Sequence, residues 1–258
     1  MKLNKLMFRE YDIRGIWNED ITEEISYYIG RAYATKLLSL KKNKMIVGYD
    51  NRLSSPIIEK NLVKGLTDGG VDVVRLGLVT TPMYYYAWDK LNIHCGIMIT
   101  ASHNPKEYNG FKMSYNGIHN CFGNEVAELY YIILNGIYSK GNGSITDANI
   151  KEDYIKMINS HINMGSNKLK YDCGNGTTSI VAKDIFVSND NIEYIPLFAE
   201  SDGTFPNHHP DPAVEDNLTI LKEKVKELNA DCGIAFDGDG DRVGVVNEKG
   251  EFVSIDKF

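Results

Sequence analysis

The sequence predicts an α/β protein made of two similar modules. Two observations carry this. Short apolar runs of strand character alternate with stretches of helical spacing along the whole chain, the pattern of strands and crossover helices. Two of those runs, Val47–Asp50 and Leu169–Asp172, end in an aspartate that leads into a polar loop and a helix, a weak internal repeat. A length of 258 residues suits one large domain or two small ones.

The elements follow in order. Met45–Tyr49 is a buried strand. Ser54 and Ser55 with Pro56 start a helix that Gly69 and Gly70 stop. Val71–Leu76 is the next strand, and Thr80-Thr81-Pro82 opens a helix through Tyr84 and Trp88. Cys95–Ile99 and Gly110–Ser114 are strands, and Asn124–Leu134 is a helix. The small polar run Ser139–Ser144 is a linker, dividing a first domain of residues 1–143 from a second of residues 144–258. The second series opens with a helix over Asn149–His161. It continues with strand Lys168–Tyr171, the tight loop Asp172–Gly176, a helix through Ile180 and strand Ile192–Ile195. A helix over Val214–Leu228, strand Cys232–Phe236, and a hairpin of Arg242–Val246 with Glu251–Ser254 complete it.

Composition excludes several classes. The net charge of −7 argues against general nucleic-acid binding, and an anionic ligand would need a locally basic site. No run approaches the ~18 apolar residues of a membrane span. The N-terminal ten residues contain basic groups but no apolar secretion core. Cys95, Cys121, Cys173 and Cys232 lie far apart with no C-x-x-C pair, which points to a reduced, cytoplasmic setting without a zinc site or disulfide framework. Oligomeric state is not legible.

Four segments carry chemistry. In Asp237-Gly-Asp-Gly-Asp-Arg242, three carboxylates alternate with glycine just after a strand. Glycine lets the loop curl, so Asp237, Asp239 and Asp241 can aim at one point, and three hard oxygens suit Mg²⁺ or Ca²⁺. A flexible acidic turn is the plain alternative. An EF-hand loop is another: Glu248 falls at position 12, but position 6 is Arg242 instead of Gly, and the flanks read as strands. In Thr100-Ala-Ser-His-Asn-Pro105, Ser102 stands at the C-terminal end of a strand, where α/β proteins place ligands. Adjacent Ser102 and His103 do not make a triad, and for the segment taken alone a plain turn held by Asn104-Pro105 is the favoured reading. Phe8–Gly15, with Tyr11 and Arg14, and Asn109–Lys112 each offer a basic group beside a turn. Arginine suits phosphate, and a lysine shielded from water can act as acid or base.

Together these four segments, in this order, resemble the α-D-phosphohexomutase family, in its phosphomannomutase/phosphoglucomutase branch. Gly48–Arg52, Asp172–Gly176 and His209–Pro212 add to the likeness, which runs from about Phe8 to the end. The resemblance implies two mixed-sheet α/β domains and a phosphorylated Ser102 that hands its phosphoryl group to a hexose phosphate. A hexose bisphosphate then forms and returns its other phosphate. It implies Mg²⁺ held by Asp237, Asp239, Asp241 and the phosphoserine, with Lys112 as general acid/base and Arg14 beside it. His103 would support the site, Arg242 would steer phosphate, and Tyr11 would line the substrate entrance.

Family members carry four domains and are nearly twice as long. Their sugar-recognition loop (Gly-Glu-x-Ser-Gly) and phosphate-clamping loop (Arg-x-Ser-Gly-Thr) belong to the third and fourth domains, and neither pattern occurs here. The expectation is therefore an N-terminal portion with little mutase activity alone. The alternatives are a metal-dependent phosphatase or phosphate-binding remnant, and a calcium-binding module. Mannose and glucose preference are not readable. The Tyr11–Gly15 motif departs from the Thr-Asp-Gly-Ile-Arg-Gly form of phosphoglucosamine mutases.

Overall fold

The computed structural model describes residues 3–117, 119–162, 167–187 and 192–253. They form two compact units. The first takes the chain up to Ile150 except Thr80–Pro82 and Ser102–Lys106; the second takes those two short segments together with the chain from Lys151 onward.

The first unit contains β1 (Ile13–Ile16), α1 (Glu23–Ser39), β2 (Lys44–Tyr49), α2 (Ser55–Asp68) and β3 (Asp72–Leu78). It continues with α3 (Thr81–Lys90), whose first two residues group with the second unit, and with β4 (Gly96–Ile99), β5 (Tyr108–Ser114), α4 (Asn124–Asn135) and β6 (Ile145–Asp147). Its sheet has the order β1-β5-β4-β2-β3-β6. β4, β2, β3 and β6 run parallel, while β5 is antiparallel to both β4 and β1. The inner strand β2 is buried at four consecutive positions, Met45–Gly48, as befits a parallel strand covered on both faces. The main core joins this sheet to Ile25, Ile29 and Leu37 of α1, Ile58 and Leu62 of α2, and Val126 and Leu129 of α4.

The second unit contains α5 (Lys151–His161), β7 (Asn167–Asp172), α6 (Ala182–Val187), β8 (Ile192–Leu197), α7 (Thr219–Glu227), β9 (Cys232–Phe236), β10 (Val243–Asn247) and β11 (Phe252–Val253). Its sheet has the order β11-β10-β9-β7-β8. β9, β7 and β8 are parallel, and β10 is antiparallel to β9 and β11. Each unit thus repeats one topology: a central strand with a parallel neighbour on either side, and an antiparallel strand next. β2, β3, β4 and β5 correspond to β7, β8, β9 and β10, which gives the weak sequence repeat a structural counterpart.

Several expectations shift. β1 and α1 go beyond the elements expected from sequence. Thr22 caps α1 by accepting from Ile25 N–H, and Glu23 and Glu24 stand in its first turn, where anions favour the helix dipole. Ser54 does not cap α2; its hydroxyl accepts from Asn109 Nδ2 instead. The helix expected through Ile180 is a 3₁₀ turn, Thr177–Ile180, followed by α6, and the helix expected from Val214 is a 3₁₀ turn, Glu215–Leu218, followed by α7. Ser254 of the expected hairpin lies outside the described residues. The Ser139–Ser144 run is no free linker. Gly141 and Gly143 donate main-chain hydrogen bonds to Asp68 and Thr67, Ser139 Oγ donates to the Gly69 carbonyl, and Arg31 donates to the Ser139 carbonyl. Its small residues let the backbone lie against the end of α2, and β6 then pairs with β3.

Candidate active site

The two loops with the strongest chemical signal occupy corresponding places in the two sheets. Ser102 lies between β4 and β5, and the three aspartates lie between β9 and β10. Each loop leaves a parallel strand at its carboxyl end, where α/β sheets gather ligands.

Ser102 is fully buried and adopts φ +51°, a left-handed conformation rare for serine that costs on the order of 1 kcal/mol or more. Its Oγ donates to Asp237 Oδ2 at 2.7 Å. His103 Nδ1 lies 3.4 Å from the same hydroxyl. A Cβ on Gly238 would come within 2.5 Å of the Ser102 carbonyl oxygen, so only glycine allows the two loops this approach.

Asp237, Asp239 and Asp241 each present a carboxylate oxygen to a cluster whose members all lie within 4.8 Å of one another. Asp237 and Asp239 are fully buried, and Asp241 is exposed. Asp237 Oδ1 accepts from the main-chain N–H groups of Gly240, Asp241 and Arg242 at 3.0, 3.0 and 3.1 Å. Gly240 makes that curl possible with φ +78°. Asp239 Oδ2 accepts from Thr81 Oγ1 at 2.7 Å. Burial, then the charges of Asp239 and Asp241, push the Asp237 carboxyl up to about 8. Three carboxylates this close need a cation to remain ionised together, and an all-oxygen set suits a hard divalent metal. The donor set fits one.

Of the other expected residues, Arg14 and Lys112 lie in the first unit. The register pairs Arg14 with Gly110, so Arg14 and Lys112 share one face of adjacent strands. Arg14 is buried, donating to the Ala101 carbonyl at 2.8 Å and to Asp12 at 2.6 Å, and so steadies the chain one residue before Ser102. Lys112 is half-buried on β5, beside Met98 of β4. Tyr11 is 70% exposed, and the Arg242 side chain is also exposed, its backbone N–H serving Asp237.

Three features go beyond the expected site. Thr81, read from sequence as a helix start, binds Asp239. The buried pair Asp50 and Arg52 ties both ends of the Ser102 loop: Asp50 N–H donates to the Ile99 carbonyl, and Arg52 Nη1 donates to the Tyr108 carbonyl. In the second unit, His208 Nε2 meets Asp172 Oδ2 at 3.1 Å, and its Nδ1 meets the His209 carbonyl at 2.9 Å. Asp50 and Asp172 were visible as strand-end residues and Arg52 as a neighbour in the same loop; His208 was not.

Known proteins match the chain closely. The family model described as phosphoglucomutase/phosphomannomutase, alpha/beta/alpha domain I, matches residues 5–135, and that of domain II matches residues 152–250. A phosphomannomutase/phosphoglucomutase of Pseudomonas syringae pv. tomato is 45% identical over 254 residues, covering 98% of this chain and 54% of that protein. A phosphoglucomutase of Neisseria meningitidis serogroup B is 40% identical, covering 97% of this chain and 55% of its own length. The crystal structure of a phosphoglucomutase/phosphomannomutase family protein from Burkholderia thailandensis superposes with a TM-score of 0.94 at 35% identity, over 99% of this chain and 57% of that one. The chain spans about half the length of the curated relatives it matches. With both domain models matched in order and the two loops in corresponding places of the two sheets, the chain belongs to the phosphoglucomutase/phosphomannomutase family.

Proposed function

We propose that this chain carries the phosphoryl-donor portion of a phosphohexomutase, which interconverts hexose 1-phosphate and hexose 6-phosphate through a phosphoserine and a hexose bisphosphate. The observation that supports this most is the 2.7 Å bond from Ser102 Oγ to Asp237 at the edge of a three-carboxylate cluster. A hydroxyl placed there is set to carry a phosphoryl group whose charge the cluster's metal offsets.

Mg²⁺ is the proposed metal, held by Asp237, Asp239, Asp241 and an oxygen on Ser102; when bound it neutralises charge and polarises phosphoryl oxygens. The protein's own residues do the rest. Ser102 holds the phosphoryl group and releases it to the sugar hydroxyl. Lys112 takes the proton from that hydroxyl and returns one on the reverse transfer. Arg14 keeps Ala101 and hence Ser102 in place and brings positive charge to the face that Lys112 shares. His103 steadies the Ser102 hydroxyl. Arg242 and Tyr11, both exposed, meet the incoming phosphate and sugar. The proposed first domain, residues 1–143, supplies β4 and β5 on either side of Ser102, and the proposed second, residues 144–258, supplies the aspartate loop. A cytoplasmic setting goes with four free cysteines.

Incubation with glucose 1,6-bisphosphate tests the reading. Intact-mass measurement is expected to show one phosphate, peptide mapping to place it on Ser102, and Ser102→Ala to take up none. A phosphate on Ser54 or Ser55 instead would sink the assignment.

A further inference from the structure

The geometry points to Thr81 as the positioning residue that aims Asp239 into the carboxylate cluster. This rests on the metal-site reading above and deepens it. Thr81 is fully buried at the first residue of α3 and groups by its contacts with the second unit. Its hydroxyl has a local use available, since a threonine at a helix start commonly bonds the backbone of its own first turn. Here it reaches across 158 residues of sequence to donate to Asp239 Oδ2 at 2.7 Å. The Thr81 main-chain N–H donates to the Asp239 carbonyl oxygen at 2.9 Å. Both donors of one residue are therefore spent on one aspartate, one on its backbone and one on its side chain.

Two bonds from one buried residue do what one cannot. The backbone bond fixes where the Asp239 Cα sits. The hydroxyl bond fixes the turn of the carboxylate about its own axis, and so the direction its oxygens offer to the cluster. The turn that follows is packed equally closely: a Cβ on Gly240 would meet Thr178 Oγ1 at 2.4 Å and Thr80 Cγ2 at 3.5 Å. Asp237 gets its aim differently, from three backbone N–H groups and Ser102. The two buried aspartates of the cluster are thus oriented by separate devices, and Thr81 supplies the second. Groups that orient a metal's ligands without touching the metal commonly carry a tenfold to hundredfold share of its affinity.

The test is Mg²⁺ titration by calorimetry on the full 258-residue chain, with the melting temperature of the metal-free protein measured in parallel. Thr81→Val keeps the shape and removes the hydroxyl; it is expected to weaken Mg²⁺ binding about tenfold. Thr81→Ser restores the donor and is expected to bind close to wild type, whereas Thr81→Ala is expected to follow Val. A helix-start role alone would lower the metal-free melting temperature of Thr81→Val and Thr81→Ala, leave Thr81→Ser near wild type, and leave Mg²⁺ affinity unchanged in all three. If Thr81→Val does not fold, the Ala and Ser pair carries the comparison. Equal affinity in Ser and Ala overturns the inference. If Asp239→Asn loses Mg²⁺ while Thr81→Val keeps it, only the role of Thr81 falls. If wild type and Asp239→Asn bind Mg²⁺ alike, the metal site and the role of Thr81 fall together.

Discussion

His208 shows how a residue can be readable as a type and opaque in use. Burial opposes a charge on its ring, yet the hydrogen bond it donates to Asp172, with that residue's charge and the bond to the His209 carbonyl, outweighs this and raises the histidine pKa above its ordinary value. Both ring nitrogens face oxygen acceptors, which only the doubly protonated ring can satisfy. The sign of the linkage follows. A raised pKa in the folded state gives stability that is fully present below the unfolded value of 6.5 and lost as pH climbs through the folded value. Thermal melts are expected to show His208→Gln losing stability against wild type at pH 5.5 but much less at pH 9. An equal deficit at both pH values would show that the charge is not what matters. Among the aspartates, Asp239→Asn is expected to lower Mg²⁺ affinity more than Asp241→Asn, because Asp239 is buried and aimed while Asp241 is exposed. The three aspartates were legible because their spacing is local. Thr81 and His208 were not, because their partners lie 158 and 36 residues away.

At the level of elements, apolar runs between turn residues marked the inner strands of both sheets, since strands buried on two faces need continuous hydrophobic sequence. The long 17-residue α1 carried a readable start at Thr22 to Glu24, and its buried face recurs at Ile25, Ile29, Ala32 and Leu37, but it fell before the first strand that drew notice. Where a helix was expected from Val214, periodicity could not separate a 3₁₀ turn from the α-helix after it, because both bury one face. The packing of α1 on α2 rests on a close approach that periodicity does not reveal. A Cβ on Gly65 would fall 2.1 Å from the Tyr27 carbonyl oxygen, a backbone atom that cannot step aside. In an isolated helix, Gly→Ala would stabilise by about 1 kcal/mol. Here Gly65→Ala is expected to destabilise by about 1–3 kcal/mol, read from urea unfolding of the full chain. A stabilised Gly65→Ala would mean that the two helices separate at little cost.

For the whole molecule, the repeated topology explains why chemistry collects in two loops. A duplicated sheet offers the same strand end twice; one copy carries the serine and the other the carboxylates. That division was only faintly legible, since the repeat survives in sequence as little more than an aspartate at the end of β2 and of β7. It also bounds what these 258 residues can do by themselves. They match about half the length of their curated relatives, and the Gly-Glu-x-Ser-Gly and Arg-x-Ser-Gly-Thr patterns, which the family resemblance assigns to sugar and phosphate recognition, do not occur in them. Most of the acceleration in phosphoryl transfer comes from holding the acceptor oxygen in line with phosphorus, an effect worth up to roughly 7–11 kcal/mol when the alignment is good. On the function proposed above, a hexose phosphate held only at its Ser102 end samples many orientations and few are in line. Water, which needs no such clamp, then competes for the phosphoserine. A polypeptide of these 258 residues, phosphorylated on Ser102 and given glucose 1-phosphate, is therefore expected to release inorganic phosphate faster than it forms glucose 6-phosphate. A phosphate-release assay run beside a coupled dehydrogenase assay measures both. Mutase turnover at the rate of a relative twice its length would show that the two units described here orient the sugar without further recognition groups.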